Sequence, residues 1–367
     1  MKITRVEAIP YSIPYRKPLQ FASGEVTDAT HVLVRIHTDD GIVGTADAPP
    51  RPFTYGETQA SVIAVITGLF APALLGLSIL EREVAHARMH RTVGNPVAKA
   101  ALDMAMWDAI GQTLGVSVSE LLGGFTDRVA VSHMLGFGQP DDVVAEAERI
   151  RTIHGISTFK VKVGRDPHSL DVAVCRALRS AFGNEIVLYI DGNRGWPASV
   201  AAQALREMSD LDLAFAEELC PADDVLSRRW LVAQSDIPMF ADESVSRAGE
   251  VTRELLSGAA TGISIKTSRT GFTQSQRVLG LCEGLGVDVV IGNQIDSQVG
   301  SICAAAFAAA FPLTARRPAE LSNFLDMDDD LLAEPLQITD GTLAVVQGPG
   351  LGIVIDPDRL DRYRTDC

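Results

Sequence analysis

The chain has 367 residues, 46% of them apolar, and a formal charge of −15, so it can bury a large core as one big domain with a smaller companion. The acidic balance, with no basic stripe, argues against nucleic acid and anionic membrane; no apolar run is long enough to span a bilayer, which leaves small molecules and copies of itself as expected partners. Cys175, Cys220, Cys282, Cys303 and Cys367 are odd in number and lack CxxC spacing, and the start alternates apolar with polar residues, so reduced thiols and a cytoplasmic location are expected.

Residues 2–15 and 31–47 carry strand patterns, with HVLVRIHT, the turn DDG and IVGTADA forming a hairpin. From about 57 to 122 the pattern is helical, and Leu102, Met106, Ile110 and Leu114 fall on one face of a helix stopping near Gly115. Residues 1–125 are therefore expected to form an α+β domain. From 126 to 325 the rhythm is strand, loop, helix: VAVSHML, TFKVKVG, EIVLYIDGN, LAFAEEL, IPMFADES, GISIKTSR and DVVIGNQ, with an eighth strand near 309–321. The segment 326–367 contains LQITDGTLAVVQGPGLGIVI, a return to hairpin grammar, and is expected to rejoin the first domain.

Lys162, Asp191, Glu217, Asp242 and Lys266 follow short apolar runs at steps of roughly 25 residues, the length of one strand and its return helix. This describes a (β/α) barrel with charge at its mouth. Lys160 and Lys162 are two apart on a strand, so both face inward while Phe159, Val161 and Val163 face the helices. Two buried ammonium groups lower each other's pKa and nearby carboxylates raise it, a balance that can leave one lysine able to exchange a proton. Singly, each acid is equally explained as a helix cap or an arginine partner. In register, Asp191, Glu217 and Asp242 would repel one another, and a hard divalent cation with oxygen ligands, Mg²⁺ or Mn²⁺, relieves that repulsion. Glu218 and Glu243 should point away or support the ligands, and Asn193 is placed to orient one. A cation-bound carboxylate between lysines is suited to making or quenching an enolate.

These residues resemble the enolase superfamily, in particular its muconate lactonizing enzyme subgroup, over essentially the whole chain. The matching motifs are Lys160-Val-Lys162, Asp191 in DGN, Glu217, Asp242 in ADES, and Lys266; ALDMAMWDAIGQTLGVSVSELLGG resembles the helix leading into the barrel, and GIVGTADA the capping hairpin. The resemblance implies a (β/α)7β TIM-like barrel with an N-terminal α+β capping domain completed by the C-terminal tail. It implies Mg²⁺ or Mn²⁺ on Asp191, Glu217 and Asp242, and a homo-octamer. Leu219 stands where the family usually has proline, which makes Glu218 a rival for the second ligand. All seven histidines precede the third barrel strand, so the late histidine base of mandelate racemase relatives is absent.

The ring does not separate the subgroup's reactions; the capping domain's loops at 17–24 and 48–57 and the late strands should. FASGEV, PPRPFTYGET, GNQIDSQVG and AELSNFLDMDDDLL resemble actinobacterial-type muconate cycloisomerases, which lactonize cis,cis-muconate with anti geometry in aromatic catabolism. In that reading Lys162 protonates the enolate, Lys160 tunes it, and Lys266 adds positive charge opposite. Glu320 resembles an acid that hydrogen-bonds the metal-bound carboxylate of this dicarboxylate substrate, and Arg51 and Tyr55 are candidates to hold its distal end. A dipeptide epimerase, with Asp326 and Asp328 holding an ammonium, is the alternative, beside N-acylamino acid or proline-derivative racemases and dehydratases. A metal-binding barrel without catalysis would be expected to have lost a ring member, and none is missing.

Overall fold

The computed structural model describes residues 1–22 and 24–366; Ser23, in the 17–24 segment, and Cys367 lie outside the described residues. Strands β1 (Ile3–Phe21), β2 (Gly24–Thr38) and β3 (Val43–Ala48) form an antiparallel sheet in that order. The segment 17–24, expected to be a loop, is instead the far end of the β1–β2 ribbon, with Leu19 opposite Val26 and Phe21 opposite Gly24. Pro18 disguises this end of the strand, and β1 tolerates Pro10, Pro14 and Pro18 because it is the sheet's edge, where a missing N–H costs no ladder bond.

The helix Pro96–Leu114 begins with proline at its first turn, while the Glu57 carboxylate accepts from the Val97 and Ala98 N–H groups (2.9 and 3.3 Å). It ends at Gly115 in the left-handed conformation. The single apolar face expected for it is not what the fold uses: the helix is buried almost all round, between the sheet and the helix Thr267–Leu285, and Leu114 is exposed at its end. Its alanines allow that close approach. A Cβ on Gly44 would stand 2.0 Å from the Ala105 carbonyl oxygen, so only glycine fits where β3 crosses.

Eight strands then form the barrel: β4 (Arg128–Leu135), β5 (Thr158–Lys162), β6 (Val187–Asp191), β7 (Leu213–Glu217), β8 (Met239–Ala241), β9 (Gly262–Ile265), β10 (Asp288–Ile291) and β11 (Ala319–Glu320). Each of β4 to β9 pairs in parallel with the next, and β11 returns to pair with β4. The last gap is bridged by side chains, Asn293 N and Nδ2 donating to Glu320 Oε2 and O (3.0 and 3.1 Å). A helix follows each of β4 to β10, and a 3₁₀ turn, Asn323–Asp326, follows β11, which makes the (β/α)7β barrel.

Period-two alternation sends Tyr189, Phe215 and Phe240 into the interior, where their rings stack at 4.3 Å between centroids. Two residues on, the same faces carry Asp191, Glu217 and Asp242. The tail first makes a hairpin, β12 (Ile338–Thr339) and β13 (Thr342–Ala344), which pairs with the start of β4 and not with the cap sheet. It reaches the cap only afterwards: Gly350 bonds Val116 and Val118, Leu351 N donates to Asp108 (2.6 Å), and Thr365 N donates to Pro10 O (3.0 Å). No described helix is long and apolar enough to cross a membrane.

Candidate active site at the barrel mouth

The strand ends bring Asp191, Glu217 and Asp242 together, with one oxygen of each within 4.8 Å of the others, all three fully buried. Lys160 Nζ lies between Asp191 (2.8 Å), Glu217 (3.0 Å) and Glu320 (2.9 Å). Lys162 Nζ donates to Asp191 Oδ2 and Asn193 Oδ1, both at 2.6 Å. From across the barrel Lys266 Nζ donates to Asp242 Oδ2 (2.5 Å). Arg269, which the sequence reading missed, donates to Asp242 Oδ1 (2.6 Å) and to the Tyr55 hydroxyl. Its signal was available: it stands three residues after Lys266, one turn into the helix that β9 feeds.

The two neighbouring lysines are in opposite electrostatic states. Burial alone would lower the Lys160 pKa, but Asp191, Glu217 and Glu320 outweigh it and hold the ammonium charged. Lys162 is lowered, first by burial and then by the positive charges of Lys160 and Lys266, against the pull of Asp191.

Glu217 and Glu218 part company at the end of β7. Glu218 turns away from the mouth in a left-handed conformation (φ 34°) and accepts from Arg228 (2.9 Å), Asp242 N (2.7 Å) and Ser244 Oγ (2.8 Å). Neither oxygen of Glu217 accepts a hydrogen bond; the 3.0 Å approach of Lys160 is a charge contact outside hydrogen-bond geometry. Burial, reinforced by the neighbouring carboxylates, pushes the Glu217 carboxyl well above its usual range. A dry carboxylate with both oxygens bare, converging with two more, fits a hard divalent cation and is costly without one.

Above the ring is a cavity of about 50 Å³, bordered by Phe21, Arg51, Tyr55, Lys162, Ile295 and Asn323 among others. The ribbon tip closes one side: the Phe21 ring lies 5.2 Å from Lys162 Nζ and 5.3 Å from Arg51 Cζ. Arg51 is half-buried there, its Nη1 buried with no partner among the described residues. Tyr55 borders the same cavity but is bonded to Arg269. Glu320 lies deeper, where Oε1 meets Lys160 and the Tyr189 hydroxyl (3.0 Å) and Oε2 accepts from Asn293 N. Asn193 joins the ring to its surroundings, Nδ2 donating to Glu243 (3.0 Å). Asp326 is buried and Asp328 exposed, so these two do not converge on the cavity. Asn193, Arg194, Glu218 and Ile295 all have positive φ (39°, 67°, 34° and 59°), a concentration of backbone strain at the mouth of the kind found at functional sites.

Residues 3–123 match the mandelate racemase / muconate lactonizing enzyme N-terminal domain, and residues 142–359 the enolase C-terminal domain-like family. A solved muconate lactonizing enzyme from Mucobacterium Smegmatis, complexed with muconolactone, is 68% identical over 100% of both chains with a TM-score of 0.99. The L-Ala-D/L-Glu epimerase of Bacillus subtilis is 31% identical over 96% of this chain and 97% of its own. A dipeptide epimerase from Enterococcus faecalis V583, complexed with Mg and the dipeptide L-Leu-L-Tyr, is 28% identical over 96% of this chain and 99% of that one, with a TM-score of 0.91. The chain belongs to the enolase superfamily, in the muconate lactonizing enzyme subgroup, and is an isomerase of the kind that uses a divalent metal on small-molecule substrates.

Proposed function

We propose that this member of the subgroup is a muconate cycloisomerase, converting cis,cis-muconate to muconolactone with anti geometry in aromatic catabolism. The observation that carries the reading is the full-length similarity to the muconolactone-bound enzyme. The cavity agrees with it, having cationic groups at both ends: Lys162 and Lys266 by the carboxylates, and Arg51 with a free N–H at the cap end.

In this reading Asp191, Glu217 and Asp242 hold Mg²⁺ or Mn²⁺, which supplies the positive charge facing the substrate's proximal carboxylate. Arg51 positions the distal carboxylate, with Phe21 and Tyr55 as walls. An oxygen of the distal carboxylate forms the new C–O bond to the alkene, whose electron pair moves toward the proximal carboxylate, and Lys162 gives its proton to the adjacent carbon. Lys160, pinned by three acids, keeps its charge and so tunes Lys162, while Lys266 adds positive potential from the opposite side. Glu320 and Asn193 orient the two lysines. The same reading divides the chain at 1–125, 126–325 and 326–367, and makes the protein a cytoplasmic homo-oligomer, an octamer by resemblance, whose size light scattering after gel filtration measures.

The dipeptide epimerase reading needs an acidic pair for the substrate's ammonium, and the separation of Asp326 from Asp328 weighs against it. The test is to follow loss of diene absorbance on mixing the protein with Mn²⁺ and cis,cis-muconate, beside dipeptides watched for α-proton exchange in D₂O. Lactone formation, with the deuterium position giving the geometry, supports the proposal. No lactone with rapid dipeptide exchange sinks it in favour of the epimerase.

A further inference from the structure

Beside β4, outside the lining of the mouth cavity, His133, Glu146 and Asp326 place one ligand atom each within 4.8 Å of the others. They come from three elements: β4, the helix Pro140–His154 and the 3₁₀ turn after β11. His133 faces out of the barrel, beneath that helix, and is 1% exposed. Ser322 Oγ donates to Ser132 O (3.0 Å), so it must accept from His133 Nδ1 (2.9 Å), which puts the hydrogen on Nδ1. Nε2 is then left buried without a hydrogen-bond partner, 3.7 Å from Glu146 Oε1. A neutral imidazole would point its lone pair at two carboxylates, an arrangement that calls for a cation between them.

Glu146 is two-sided. Lys17 of the β1 ribbon bonds Oε2, which leaves Oε1 for the cluster. Beside it a cavity of about 190 Å³, bordered by Lys17, Gln20, Met134, Glu146 and Asp326, gives solvent access and room for water ligands.

We propose that His133 Nε2, Glu146 Oε1 and Asp326 form a second cation site that takes a borderline divalent ion such as Zn²⁺. One imidazole and two carboxylates favour zinc over magnesium, whereas the all-oxygen set at the mouth favours a harder ion. A cation there ties the last turn of the barrel to its first helix, whose Glu146 holds the ribbon that carries Phe21 over Lys162. The site is structural and lies outside the proposed reaction.

The experiment begins with chelator-stripped, full-length protein saturated with Mg²⁺, dialysed against micromolar Zn²⁺ and assayed for bound metals by elemental analysis. One zinc per chain is expected in the wild type in addition to magnesium, with affinity falling at least ~100-fold in both His133→Asn and Asp326→Asn. Retained circular dichroism establishes that each variant is folded. Co²⁺ in place of Zn²⁺ should give a visible band that His133→Asn abolishes. Wild-type protein that keeps magnesium and binds no zinc, or variants that bind zinc as wild type does, would overturn the assignment and leave a protonated His133 as the counter-charge.

Discussion

The two ends of the mouth cavity are built on opposite plans. At the strand ends every charge is held several ways: Lys160 touches three carboxylates, and Asp242 is gripped by both Lys266 and Arg269. At the cap end half-buried Arg51 lies against the face of Phe21, with Nη1 unpartnered among the described residues. The first plan fixes geometry to a fraction of an ångström and suits chemistry common to a subgroup. The second leaves a donor waiting for whatever the cap admits, and suits a choice among substrates. The contrast places rate with the ring and affinity with the cap.

The largest test of that division is Lys162→Ala, expected to lower kcat roughly 10³- to 10⁴-fold with little change in KM, read from steady-state lactonization. A variant that turns over at the wild-type rate refutes the assigned acid. Next is Glu217→Gln, which should weaken Mg²⁺ or Mn²⁺ by at least ~10–100-fold in calorimetric titration. Unaltered metal affinity would take Glu217 out of the ligand set. Arg51→Leu then probes the cap end: loss of a charged hydrogen bond worth ~1.5–3 kcal/mol should raise KM for the dicarboxylate about 10- to 100-fold and leave kcat within a few-fold. An effect confined to kcat would erase the distinction between the two ends.

The smallest effect concerns the floor of the cap seam. Burial pushes Asp296 up to about 6, against the hydrogen bond from Ser268 (2.6 Å) and with help from Asp47. Its pKa is higher folded than unfolded. Between roughly pH 4 and 6 the folded chain therefore keeps a proton that the unfolded chain has released, and stability falls as pH rises, by at most ~1.4 kcal/mol per pH unit. Urea unfolding at pH 4.5, 5.5 and 7 should show the wild type losing stability relative to Asp296→Asn as pH rises through that window. Parallel slopes would mean that Asp296 ionises normally.

The ring was legible because two periodicities coincide there. A strand–helix unit repeats about every 25 residues, and inward positions repeat every second residue, so Lys160 with Lys162, then Asp191, Glu217, Asp242 and Lys266, could be placed on one rim from spacing alone. Arg269 lay outside that pattern: its only signal was its place one turn after Lys266, and its role depends on the direction of a helix's first turn. The ribbon was misread at 17–24 because prolines mimic a loop, and only the sheet order reveals that they line an edge. The helix Pro96–Leu114 was read as one-faced because an all-buried helix and an amphipathic one share the same apolar positions, and packing on the remaining faces by alanine leaves no periodic mark. The separation of Asp326 from Asp328 follows from a 3₁₀ turn that ends at Asp326, a boundary that composition does not encode.

The prolines of β1 have a consequence beyond the single molecule. A nineteen-residue strand at the edge of a sheet, if left uncovered, is a template on which a second molecule's strand can add, the first step toward a fibril. Pro10 and Pro14 are separated by an even number of residues, so their missing donors fall on the same outer side, and their carbonyls are already taken by Thr365 N and Asp328 N, both at 3.0 Å. These prolines thus guard the ribbon against polymerisation, and let a long arm lie over the barrel without recruiting other chains.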